Sequence, residues 1–130
     1  MTNTFRIAQA AGLLGVSDDT VRRWIDLGLL PTTGVTPVEI PGAALAERAV
    51  ALAAEPEDPT GVASSARNRF VGLVTRVQVD GVMAQVDLQC GPHRVVSLMS
   101  AEAAHELALE PGSLAVASVK ATVVTVEKPR

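Results

Sequence analysis

Two periodicities divide the chain. From Ile7 to Leu14 apolar residues recur at helical spacing and stop at Gly15, a residue able to take the left-handed conformation that closes a helix. Ser17 then offers a capping oxygen, and Asp18 and Asp19 follow where the dipole of a second helix favours acids. That helix is predicted over about Asp18 to Leu27, with Val21, Trp24 and Ile25 facing inward and Gly28 as its stop. A third is predicted to start near Pro41, a favourable first-turn residue, and to cover Ala43 to Ala53.

Further on the period changes to two. Val71, Leu73, Thr75, Val77 and Val79 alternate with Phe70, Gly72, Val74, Arg76 and Gln78, as in a strand. Asp80-Gly81 predicts a two-residue hairpin of the type whose central residues both have positive φ. Val82 to Leu88 returns as the partner strand, Cys90-Gly91-Pro92 turns, and Arg94 to Met99 forms a third strand. Ser100-Ala101-Glu102 opens a short helix through Leu107, Glu110-Pro111-Gly112 turns again, and Leu114 to Val126 supplies one long or two short strands. Five short strands with one helix between the third and fourth is the order of a small OB-like barrel. Between the two patterns, Ala54 to Gly61 combines two prolines, a glycine and three acids with no apolar periodicity, the composition of a linker. The chain is thus expected to be α+β: a three-helix domain over residues 1–54, an acidic Pro/Gly linker over 55–63 and a small barrel over 64–130.

Composition constrains how such domains are held together. Apolar residues make up 48% of the 130, yet there is no Tyr, one Trp and two Phe, so the cores must be built from Ala, Val and Leu. Small aliphatic cores favour assembly, because a partner surface adds buried area. There is no run of about 18 apolar residues and no basic or apolar leader, which predicts a protein of the cytoplasm without a membrane partner. The single cysteine, Cys90, excludes an internal disulfide.

Charge complicates the picture. The net charge is −3; residues 1–60 hold four bases (Arg6, Arg22, Arg23, Arg48) against eight acids, while 61–130 hold seven bases and six acids. The helical half is the acidic half.

Phe5 to Pro31, with Ala11 small at a helix crossing, Gly15 in the tight turn, and Val16 and Val21 at the joint, resembles the helix-turn-helix of excisionase-like and MerR-like DNA-binding proteins. The resemblance implies that the second helix enters the major groove, with Asp19 and Thr20 as candidates for base contact and Arg22 and Arg23 for phosphate or guanine. Trp24 reads as core. Thr33 to Glu39, where relatives carry a basic wing, has no Lys or Arg, so a monomer is expected to bind DNA weakly.

Ser65-Ala66-Arg67-Asn68 ahead of a strand, together with Leu109-Glu110-Pro111-Gly112 and the later Val119-Lys120-Ala121, resembles the molybdate-binding barrel of molbindins (TOBE/Mop) over roughly Ser64 to Lys128. The resemblance implies an oxyanion site, for molybdate or tungstate, between subunits of a homo-oligomer of two to six chains. A doubly charged tetrahedral anion only accepts hydrogen bonds, so its site must consist of donors. Ser65 supplies a hydroxyl, Ala66 and Arg67 supply backbone N–H groups, Lys120 supplies a compact charge, and Arg67 donates either its guanidinium or its backbone alone. Ser100, at a helix start, is a further candidate; three residues on, this chain has Ala103 where the family commonly has serine. Taken singly, Ser65 and Ser100 read as caps and Lys120 as a solvated lysine.

Cys90 and His93 share one turn, but two ligands do not make a zinc site, and His105 has no evident partner. No catalytic constellation, resident metal or organic cofactor is expected. The sequence therefore predicts a DNA-binding transcriptional regulator that responds to molybdate or tungstate, with an oxyanion store whose helical domain serves assembly as the alternative.

Overall fold

A computed structural model describes residues 3–54 and 57–130. The chain divides into two compact units, residues 1–55 and 56–130.

The first unit is helical. Helix α1 (Ile7–Leu14) ends at Gly15, whose φ of 68° lets the Val16 N–H turn back to the Ala11 carbonyl at 3.0 Å. Helix α2 (Asp18–Asp26) starts under the Ser17 hydroxyl, which accepts from the Thr20 N–H at 3.1 Å. Gly28, φ 75°, follows its last turn. Helix α3 (Gly42–Leu52) covers the expected stretch to within one residue at each end, with Pro41 as the capping residue and Ala53 as the closing one.

Two strands of two residues each, β1 (Thr4–Phe5) and β2 (Ile40–Pro41), pair antiparallel, which the sequence pattern did not predict. This pairing closes the unit: the Gly42 N–H donates to the Asn3 carbonyl at 2.8 Å. The Arg6 guanidinium also donates to the Pro37 carbonyl at 3.0 Å, which ties down the segment where a basic wing was looked for. Ala10, Ala11, Val21, Trp24, Leu30, Ile40 and Leu45 form the core. Each large aliphatic among them contributes about 1.5–3 kcal/mol on burial.

The second unit is a curled antiparallel half-barrel of four strands, in the order β5-β4-β3-β6. They are β3 (Asn68–Asp80), β4 (Met83–Cys90), β5 (His93–Ser100) and β6 (Leu114–Val119), with the six-residue helix α4 (Ala101–Glu106) before β6. Long β3 serves two neighbours: its first half pairs with β6 from Asn68 to Leu73, and its second half pairs with β4 up to Asp80. A register irregularity between Val74 and Arg76 marks the change. Gly72 is needed near there, since a Cβ would meet the Gln89 carbonyl at 2.5 Å and the Cys90 Sγ at 2.6 Å.

Two expectations are corrected. The β3–β4 loop is Gly81-Val82, because Asp80 pairs with Met83; only Gly81 has positive φ, so the turn is not the type in which both residues do. The second unit also makes four strands rather than five among the described residues. After Val119 it enters a short 3-10 turn (Ala121–Val123), and residues 124–130 form no strand.

Val74, Ala84, Val86, Leu88, Cys90 and Ala104 form the half-barrel core. On the other face of β4, Asp87 is buried and accepts from the Gln85 amide at 3.0 Å and from Arg94 Nε and Nη2 at 3.0 and 2.8 Å. The Gln85 amide first, then the Arg94 guanidinium, hold its carboxyl below the usual carboxylate range. The polar group is thus satisfied and adds order to the sheet.

Candidate functional site

The β3–β6 register brings the two anion strings together. Asn68 pairs with Val119 and donates its side-chain amide to the Val119 carbonyl at 3.2 Å. Arg67 and Lys120 are the chain neighbours of that last pair, one on each strand. The register thus gathers the two strings at one end of one ladder, with Ser65 and Ala66 just before it in the chain. Nearby, the Ala66 N–H turns to the Ser64 hydroxyl at 3.1 Å, so that donor is engaged within the loop. Ser65, Arg67 and Lys120 are exposed.

Ser100 is not part of this gathering within one chain. It pairs with Met83, which pairs with Asp80, at the opposite end of β3. From Asn68 to Asp80 the strand runs for 13 residues, roughly 40 Å at about 3.3 Å per residue. The Ser100 hydroxyl accepts from the Ala103 N–H at 3.0 Å as the cap of α4, which leaves its proton free to donate.

Register also exposes donors that sequence reasoning missed. Arg69 sits directly opposite Ser118, and directly opposed residues share a face of the sheet. Parity would have put Arg69 on the face of Arg67, but the partner strand's identity and register were needed to add Ser118. The outward stripe continues as Val71 opposite Val116 and Leu73 opposite Leu114, with the two leucines 53% and 52% exposed. An apolar strip that runs into a group of donors is the form of a surface to be covered by protein.

On α2 the predicted DNA contacts are partly engaged. Asp19 pairs with Arg22 at 3.2 Å, and the Thr20 and Ser17 hydroxyls are 2.9 Å apart. Arg23 has no ion-pair partner among the described residues. Trp24 is core, as expected, and the Arg48 guanidinium lies 4.7 Å from its ring centroid. Arg48 Nε is buried with no hydrogen-bond partner among the described residues.

Cys90 belongs to the core. Its thiol donates to the Phe70 carbonyl at 3.6 Å, and burial pushes its pKa up, so it is held as the unreactive thiol. Among the described residues, no three His, Cys, Asp or Glu side chains come together as a metal site, and no helix is long and apolar enough to cross a membrane.

Comparison with known proteins gives a family match in each unit. Residues 64–126 match the family described as the TOBE domain, and residues 6–37 match the MerR family of regulatory proteins. No curated protein matches the chain. Among solved structures, MopII from Clostridium pasteurianum is 31% identical over 51% of this chain and 100% of its own, with a TM-score of 0.48. A molybdate-binding protein from Sporomusa ovata is 28% identical over 52% of this chain and 100% of its own, with a TM-score of 0.49. The cytoplasmic molybdate-binding protein ModG is 37% identical over 49% of this chain and 46% of its own, with a TM-score of 0.45. The chain belongs to the TOBE-domain family through residues 64–126 and carries a MerR-family helix-turn-helix segment, residues 6–37, ahead of that domain.

Proposed function

We propose that the chain is a cytoplasmic regulator that binds molybdate or tungstate in its half-barrel unit and DNA through its helical unit. The observation that carries the anion half is the β3–β6 register: it pairs Asn68 with Val119 and so sets the Ser65-Ala66-Arg67 string and Lys120 next to one end of the ladder. The group offers hydroxyl, backbone N–H and cationic donors, with no acid in residues 64–69 or 114–120. That is what an acceptor-only dianion requires. The names of the Sporomusa ovata protein and of ModG, both molybdate-binding, agree with this ligand.

One chain supplies only part of a cage. Ser100 lies at the far end of the sheet, and the outward strip of Leu73 and Leu114 is uncovered. In the proposed assembly a second copy covers that strip and brings its own donors, so the oxyanion binds between subunits of a homo-oligomer. Calorimetric titration tests the anion reading: molybdate and tungstate should bind, and sulfate and phosphate should bind far more weakly. A cage sized for the larger tetrahedron leaves sulfate's shorter bonds out of reach of some donors, and phosphate brings a proton that finds no acceptor. Equal affinity for sulfate and molybdate would defeat it.

A second reading, an oxyanion store whose helical unit serves assembly, is favoured by one observation. Helix α2 carries Asp18, Asp19 and Asp26 against Arg22 and Arg23, and Arg22 is already paired with Asp19. Phosphate affinity depends on free cations, so DNA binding by this helix needs at least two copies acting together.

A further inference from the structure

The donor end of the β3–β6 ladder already holds one carboxylate, and it comes from the linker. Asp58 pairs with Arg69 through Oδ2, and its Oδ1 accepts from the Thr60 N–H at 2.9 Å and the Thr60 hydroxyl at 2.6 Å. The paired side chains are only 24% and 30% exposed. The Val62 N–H in turn donates to Thr60 Oγ1 at 3.4 Å. A cavity of about 460 Å³ lies among Thr60, Val62, Ser64, Arg69, Leu109 and Ser118, so the end of the linker runs beside the strands that carry the donors.

Arg69 shares its sheet face with Ser118. Lys120, two residues on with extended backbone (φ −61°, ψ 135°), lies about 7 Å further along the same side. A carboxylate and a tetrahedral oxyanion ask for the same donors, since both only accept hydrogen bonds.

We propose that Asp58 is an internal competitor of the oxyanion: it occupies Arg69 while the site is empty of anion, and anion binding beside Lys120 draws Arg69 away and releases the linker. This inference rests on the anion reading above and adds Arg69 and Ser118 to the donor set. Its consequence is mechanical. With Asp58 docked, residues 58–62 are held beside the half-barrel strands. With Asp58 released, that segment is freed from them, so anion occupancy sets whether residues 58–62 are held.

The test titrates the full chain with sodium molybdate by calorimetry, for the wild type and for Asp58→Asn, Arg69→Gln and the double variant. Removing the competitor should tighten molybdate binding by about three- to fivefold, the worth of a partly exposed ion pair. Arg69→Gln should bind more weakly than wild type, and Asp58→Asn should bring no gain in its presence. Digestion with a glutamate-specific protease supplies a second readout at the Glu57–Asp58 bond. Molybdate should accelerate cleavage in the wild type, while Asp58→Asn should be cut fast with or without it. Wild-type binding with no gain in Asp58→Asn would overturn this inference and leave the anion reading standing. A wild type that takes up no molybdate would overturn both.

Discussion

Lys120→Ala removes the one ammonium at the donor end of the ladder, while the backbone pairing of β6 stops at Val119 and is untouched. Loss of a charge-assisted hydrogen bond costs about 1.5–3 kcal/mol, so molybdate affinity should fall by roughly one to two decades in a calorimetric titration. Ser65→Ala should cost less, and neither variant should change the thermal unfolding of the half-barrel. An unchanged titration for Lys120→Ala would exclude the site. Asp58 gives a pH-dependent prediction. The Thr60 hydroxyl, then Arg69, lower its pKa from 3.8 to about 2. A depressed acid contributes to docking above its ordinary pKa, and that contribution is lost as pH falls from about 4 through about 2. The carboxyl carbon of Asp58, followed by NMR against pH, should titrate near 2 in the wild type. The midpoint should rise in both Thr60→Ala and Arg69→Gln; a wild-type midpoint near 3.8 would contradict the docked arrangement. At this scale the sequence offered Ser65, Arg67 and Lys120 as candidates because their strings are distinctive. Arg69, Ser118 and Asp58 stayed hidden because their association depends on strand register and on where a linker folds back.

Elements with local causes were legible. Gly15, Ser17 and Gly28 fix the ends of α1 and α2 through capping geometry that involves a few adjacent residues, and both helices formed where those residues stand. Elements with remote causes were not. Strands β1 and β2 have two residues each, too few for any period, and exist because Phe5 meets Ile40 from the far side of the unit. Thr122 to Val126 has the alternation of a strand, but pairing decides whether it becomes one, and within one chain it stays unpaired. For α2 the prediction is quantitative. With Arg22 and Arg23 from each of two copies, about four phosphates are contacted, and log affinity against log salt should have a slope near −4. Arg23→Ala should lower that slope by about two in a dimer, whereas a slope unchanged by the substitution would remove this helix from the interface.

At the scale of the molecule, the half-barrel has two open sheet edges, β5 and β6, and its outward strip of Leu73 and Leu114 is uncovered. Val123, Val124 and Val126 beyond β6 are exposed as well. A small aliphatic unit that leaves this much apolar surface in water gains by burying it against a copy of itself. Light scattering at micromolar concentration should report a dimer or larger; a monomer with and without molybdate would contradict an anion site shared between subunits. The sequence announced the two units through a change of period and a Pro/Gly-rich junction. It could not announce that Ser100 and Lys120 belong to opposite ends of one sheet, because chain order carries no distance. The central claim is that oxyanion occupancy changes DNA binding. The most direct test is fluorescence anisotropy of the upstream region of the protein's own gene, titrated with the full chain at low salt, with and without saturating sodium molybdate. Coupling of about 1–3 kcal/mol predicts that operator affinity changes by roughly 5- to 150-fold between the two curves. Superimposable curves, or no binding in either condition, would contradict the account and leave the protein as an oxyanion store.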